Sequence, residues 1–121
     1  MSAQEIEQIS LKFNDLQTKL QESLSNRQTL ETQHQENLIV LKEFDLLKDE
    51  SAEPKVYKLT GSVLLPQDFS EAEMNVEKRL EFIKAEITKV DELIKKTQSD
   101  LESTRNQLVQ IRTQQQQQLQ Q

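Results

Sequence analysis

Val56-Tyr57-Lys58-Leu59-Thr60-Gly61-Ser62-Val63-Leu64-Leu65-Pro66 is the stretch on which the fold turns. Val, Tyr and Leu dominate its two halves, and Gly61, the only glycine of the chain, stands between them. Two short β-prone runs joined at a glycine and flanked by Pro54 and Pro66 read as a β-hairpin with a tight turn. Its apolar residues fall on both faces. Tyr57 and Leu59 share one side with Val56 on the other, and Val63 and Leu65 oppose Leu64. A two-stranded hairpin alone is marginal in water, and its open edges invite further strands. Helices leaving from its base would not cover it. The stretch therefore predicts an obligate oligomer, in which hairpins from several chains build a shared sheet or barrel. Val56, Tyr57, Leu59, Val63, Leu64 and Leu65 are the expected assembly residues. The alternative is a private cap packed on the chain's own helices.

On either side the sequence changes character. The preceding segment, 1–50, keeps a 3-4 spacing along Ile6, Ile9, Phe13, Leu16, Leu20, Ser23, Arg27, Leu30, His34, Asn37, Leu41 and Phe44. That is a heptad stripe with polar entries at Ser23, Arg27, His34 and Asn37. Leu24 and Leu38 lie one position beyond Ser23 and Asn37 and suggest a local stutter. The following segment, 70–113, repeats the stripe along Val76, Leu80, Ile83, Ile87, Val90, Ile94, Thr97, Leu101, Thr104, Leu108 and Ile111. Both starts carry capping-box spacing, Ser2 with Glu5 and Ser70 with Glu73. Staple pairs flank them, Met1 with Ile6 and Phe69 with Met74. At 1.5 Å per residue each helix would extend roughly 60–70 Å.

A long helix with one apolar stripe does not stay bare in water. Two of matched length around a short middle bury their stripes most simply as an antiparallel coiled-coil hairpin. Pairing about a midpoint near residue 60 sets Phe44 near Val76, Leu20 near Leu101 and Ile9 near Ile111. The expected class is thus mainly α: a long antiparallel two-helix coiled coil with one central β-hairpin that joins an intersubunit β-barrel. The whole of 1–121 forms one domain, with the hairpin at 54–67 and a frayed Gln-rich tail at 114–121.

Composition supports this and excludes much else. The chain has 121 residues, 34% of them apolar, 4% aromatic and 30% charged, with one Gly and two Pro. A compact globule needs more apolar residues and more reversals. The net charge of −6 and the lack of a Lys/Arg cluster argue against nucleic acid as a partner. Zero cysteine suits a reducing compartment. No apolar run nears the ~20 residues of a membrane span, and Met1–Glu5 opens no signal peptide. A cytoplasmic protein is expected. His34 is the only histidine and lies on the stripe; neither HExxH nor an EF-hand loop occurs, so no metal is expected. One glycine cannot make a phosphate loop, and acidic side chains on helix surfaces, or Glu50 and Glu53 in a loop, are solvated rather than poised. No catalytic residue, no cofactor and no enzyme activity is expected.

Val56-Tyr57-Lys58-Leu59-Thr60-Gly61, Val63-Leu64-Leu65-Pro66 and Asn75-Val76-Glu77-Lys78-Arg79-Leu80-Glu81-Phe82-Ile83 resemble the signature of prefoldin's β-class subunits, and Gln35-Glu36-Asn37 also looks like that class. The resemblance covers nearly the whole chain. An α-class subunit would carry two hairpins and a longer middle. The Gln-rich end departs from the family pattern. The resemblance implies a hetero-hexamer of α- and β-class chains, whose hairpins form a double β-barrel platform from which the coiled coils project. It implies that the tips hold unfolded actin and tubulin and pass them to the cytosolic chaperonin, without ATP.

A holdase that binds many sequences weakly needs exposed apolar groups without a rigid pocket, and the fraying ends of a coiled coil supply them. Here those ends carry Ile6, Ile9, Phe13 and Leu16 opposite Leu108, Val109 and Ile111, the expected client-binding residues. The same residues also serve to close the seam. Several arms acting together would turn weak contacts into avidity. Two other readings compete: a structural adaptor that joins a parallel dimer through its heptads, and a subunit of a related prefoldin-like complex. The first leaves the hairpin unexplained.

Overall fold

The computed structural model describes residues 2–50 and 55–119, arranged as α1 (Ala3–Glu50), β1 (Val56–Thr60), β2 (Val63–Gln67) and α2 (Phe69–Leu119). Nothing interrupts α1, because no Gly or Pro lies between 3 and 50. Its start is closed as the spacing requires: the Glu5 amide donates to Ser2 Oγ and the Ser2 amide to Glu5 Oε2, both at 3.2 Å. The Met1 half of the expected staple lies outside the described residues, as do Glu53 and Pro54. Glu50 belongs to the last turn of α1 rather than to a loop.

The start of α2 differs from expectation. Asp68, not Ser70, is the cap: its Oδ1 accepts from the Ser70 amide at 3.2 Å, and its carbonyl accepts from Ala72 at 2.9 Å. An aspartate directly after the strand outcompetes a serine two residues on, since it meets the first free amides and the positive end of the helix dipole. Glu73 is thereby released to pair with Lys48, Nζ to Oε1 2.6 Å. Phe69 packs edge-on against Phe44, with centroids 5.2 Å apart and planes at 80°, while Met74 stays exposed. The far end also differs. Helix continues through Gln114 to Leu119, the run expected to fray. Glutamine is a sound helix former, and no breaker intervenes.

The chain divides into two units, residues 28–88 and residues 1–27 with 89–121. In the first, Phe44, Ala72, Val76 and Leu80 form a buried cluster, against which Leu38, Leu41, Val56 and Phe69 pack. Phe44 and Val76 thus meet as the midpoint pairing requires. In the second, Leu16, Val90, Ile94 and Ile111 are buried together with Ser23, Thr97 and Thr104. The two threonines donate to carbonyls of their own helix, Thr97 to Leu93 at 2.8 Å and Thr104 to Asp100 at 2.7 Å, so apolar seam positions accept them without orphaning a hydroxyl.

The helical segments of the second unit run antiparallel. Arg27 Nε meets Asp91 Oδ1 at 2.5 Å at one end, and Ile6 shares a hollow with Ile111 at the other. Leu101 lines a hollow with Phe13 and Gln17, and Ile111 lines one with Ile6. The stutter at Leu24 does not form, since Ser23 stays buried and Leu24 stays exposed.

Candidate assembly and client-binding surfaces

The hairpin register is Val56↔Gln67, Tyr57↔Pro66, Lys58↔Leu65, Leu59↔Leu64 and Thr60↔Val63. Gly61 has φ +64°, and no other described residue has positive φ. A two-residue turn with left-handed backbone at its first position only is type II′, which matches the twist of the strands. Paired residues point to the same side. One face therefore carries Tyr57, Leu59, Leu64 and Pro66 with no polar member, and the other carries Lys58, Thr60 and Gln67 beside Val56, Val63 and Leu65.

Burial separates the six expected assembly residues. Val56 packs against the Phe44–Leu80 cluster of its own chain, so the base of the hairpin is covered after all. Tyr57, Leu59, Val63, Leu64 and Leu65 are exposed, Leu59 to 67% and Leu64 to 63%. Exposed leucines facing each other across a two-stranded sheet are an unfinished core. The edges are unequal. The Thr60↔Val63 pair closes the turn, so alternation directs the main-chain groups of Tyr57 and Leu59 outward from β1 and those of Leu64 and Pro66 outward from β2. Pro66 lacks an N–H, which blunts the β2 edge, whereas the β1 edge keeps every donor and acceptor. Near the base, a hollow of about 260 Å³ has Val40, Tyr57 and Arg79 among its lining residues.

The expected client-binding residues divide in the same way. Leu16 and Ile111 are buried in the seam, while Ile6, Ile9, Phe13 and Leu108 are half-buried and Val109 is 54% exposed. Ile6, Leu108, Val109 and Ile111 line one open hollow of about 400 Å³. Phe13 lines a second with Leu101. Ile9 and Leu16 line neither. Sequence reasoning missed Arg105, which lines both hollows, and Arg112, which lines the first. Their signal was positional: each flanks the apolar stripe, Arg105 between Leu101 and Leu108 and Arg112 just past Ile111. On the apolar hairpin face it also missed Pro66.

Among the described residues no group of His, Cys, Asp and Glu could hold a metal, and no helix is long and apolar enough to cross a membrane. His34 sits half-buried on the stripe as expected of a polar seam residue.

Comparison with known proteins identifies the architecture. A protein-family profile described as prefoldin subunit matches residues 7–121. Curated relatives carry the name prefoldin subunit 6. Prefoldin subunit 6 of Saccharomyces cerevisiae is 48% identical over 104 residues, covering 86% of this chain and 89% of the relative. Prefoldin subunit 6 of Homo sapiens is 39% identical over 100 residues, covering 83% and 75%. Among solved structures, the prefoldin beta subunit from Thermococcus strain KS-1 superposes with a TM-score of 0.75 at 17% identity, over 86% of this chain and 89% of that one. By profile, relatives and fold together, the chain belongs to the prefoldin subunit family.

Proposed function

We propose that this chain is a β-class arm of a cytosolic prefoldin hetero-hexamer, an ATP-independent co-chaperone that captures unfolded proteins at its coiled-coil tips and delivers them to the cytosolic chaperonin. One observation carries the reading: the hairpin presents Tyr57, Leu59, Leu64 and Pro66 as an all-apolar face beside a fully functional β1 edge. A strand from an α- or β-class partner added at that edge, with a second layer over the face, completes a core that the chain leaves open. The adaptor reading fares worse, because in each unit the two stripes of one chain already bury each other.

Actin and tubulin are the clients that the family resemblance implies. The apolar hollows at the free helix ends support capture there, since they are shallow, open and unspecific in shape. Several such ends on one platform add avidity to weak contacts. The test is aggregation of denatured actin diluted into buffer without nucleotide. The reconstituted hexamer is expected to suppress light scattering, and Ile9→Ser with Phe13→Ser is expected to weaken suppression while the hexamer still assembles. Assembly lost together with capture would overturn the tip assignment. Full suppression by the double variant would move the client site elsewhere.

A further inference from the structure

The hollow lined by Ile6, Leu108, Val109 and Ile111 differs in charge from the rest of the molecule. The chain carries −6 overall, yet after Glu102 the sequence has no acid, and its only charges there are Arg105 and Arg112. Among the described residues neither arginine has an ion-pair partner. Glu5 and Glu7 flank Ile6 on α1 but line neither hollow, and Glu5 is engaged with Ser2 at the helix start. Arg105 lines both hollows and joins them into one strip, with Arg112 beside Leu108 and Ile111 in the first; Glu102, in the second, is the one acid among the residues that line them.

We propose that this strip selects, among unfolded segments, those in which apolar residues alternate with carboxylates. The inference rests on the tip-capture reading above and adds a charge preference to it. Ile6, Phe13, Leu108 and Val109 supply contact for the apolar side chains. Arg105 and Arg112 lie seven residues apart on α2, two turns or about 10 Å along the axis, between the roughly 7 and 13 Å that separate same-face carboxylates two and four residues apart in an extended segment, a difference their long side chains span. Guanidinium forks suit such carboxylates better than lysine would, since both oxygens can be engaged at once. The overall negative charge of the chain works the other way at long range, so the preference is local to the strip and screened by salt.

The probes are three labelled, unstructured peptides with identical Leu, Phe and Val positions and Glu, Gln or Lys at the intervening ones. Each is titrated by fluorescence anisotropy against the full chain assembled with its partner subunits. The Glu peptide is expected to bind about 3- to 30-fold tighter than the Gln peptide, the range two partly exposed ion pairs provide, with the Lys peptide weakest. High salt is expected to collapse the order, and Arg105→Glu with Arg112→Glu to invert it. Equal binding of all three peptides would refute the charge preference and leave capture standing. Binding of none would overturn capture itself. A Glu preference that survives the double reversal would show that another surface carries it.

Discussion

Leu93 and Ile94 are adjacent on α2, both aliphatic and isomeric in side chain, yet 51% and 9% exposed. The paired-stripe account makes them very unequal under truncation to alanine. Either change removes three carbons, worth about 2.4 kcal/mol at ~0.8 kcal/mol per buried CH₂. At Ile94 nearly all of that was buried, and the vacated space adds a cavity term, so the loss is about 2–3 kcal/mol. Alanine's better helix propensity returns roughly 0.4 kcal/mol at most. At Leu93 about half was buried, and extended-chain references overstate even that, so the loss is about 1 kcal/mol or less. The difference of about 1–2 kcal/mol is a five- to thirty-fold change in the unfolding equilibrium. Urea unfolding of the full chain followed at 222 nm, at one fixed low concentration, measures it. Equal losses for the two variants, or a larger loss at Leu93, would refute the assignment of this seam.

Three further expectations are independent of that one. Gly61→Ala meets no neighbouring atom within 4 Å, so its cost is the left-handed backbone alone, about 1–2 kcal/mol; loss of hairpin amide protection in hydrogen exchange with helices intact reports it, and unchanged protection would contradict the type II′ turn. Asp91→Asn breaks a half-exposed pair with Arg27 and is expected to cost less than about 1 kcal/mol, shrinking further in salt; a salt-independent loss above that would mean a buried role. The hydrogen bond to Glu73, opposed by desolvation and helped by the charges of Glu73, Asp45 and Glu77, raises the Lys48 pKa above the ordinary 10.5. A raised folded-state value means stability fully present below 10.5 and lost as pH climbs through the folded pKa. The gap in unfolding midpoint between wild type and Lys48→Met should therefore hold at neutral pH and close only in strong alkali, and a gap that closes near neutrality would contradict it.

Much of the architecture is written in local pattern. The stripe positions from Ile6 to Phe44 and from Val76 to Ile111 are all at least half-buried, because a 3-4 spacing offers only one face on which to bury them. The hairpin and its turn follow from the single glycine. What pattern does not carry is competition and the path of the chain. Ser70 has the right spacing to cap α2, but Asp68 is there first. Val56 looked like its neighbours in sequence, and only the path of the chain turns it toward Phe44. The arginines of the tip hollow were invisible to a search for apolar seams, since their meaning comes from what lies across from them.

The central claim is that the hairpin face is one piece of a core shared between chains. Native mass measurement of the chain alone, and then mixed with α-class prefoldin subunits, tests it most directly, with Leu64→Asp run in parallel. The account expects a hexamer-sized complex that forms only with an α-class partner and is lost in the Leu64→Asp variant, because a carboxylate there would have to be buried among Tyr57, Leu59 and Pro66. A stable homodimer indifferent to those partners, or a hexamer that tolerates the aspartate, would contradict it.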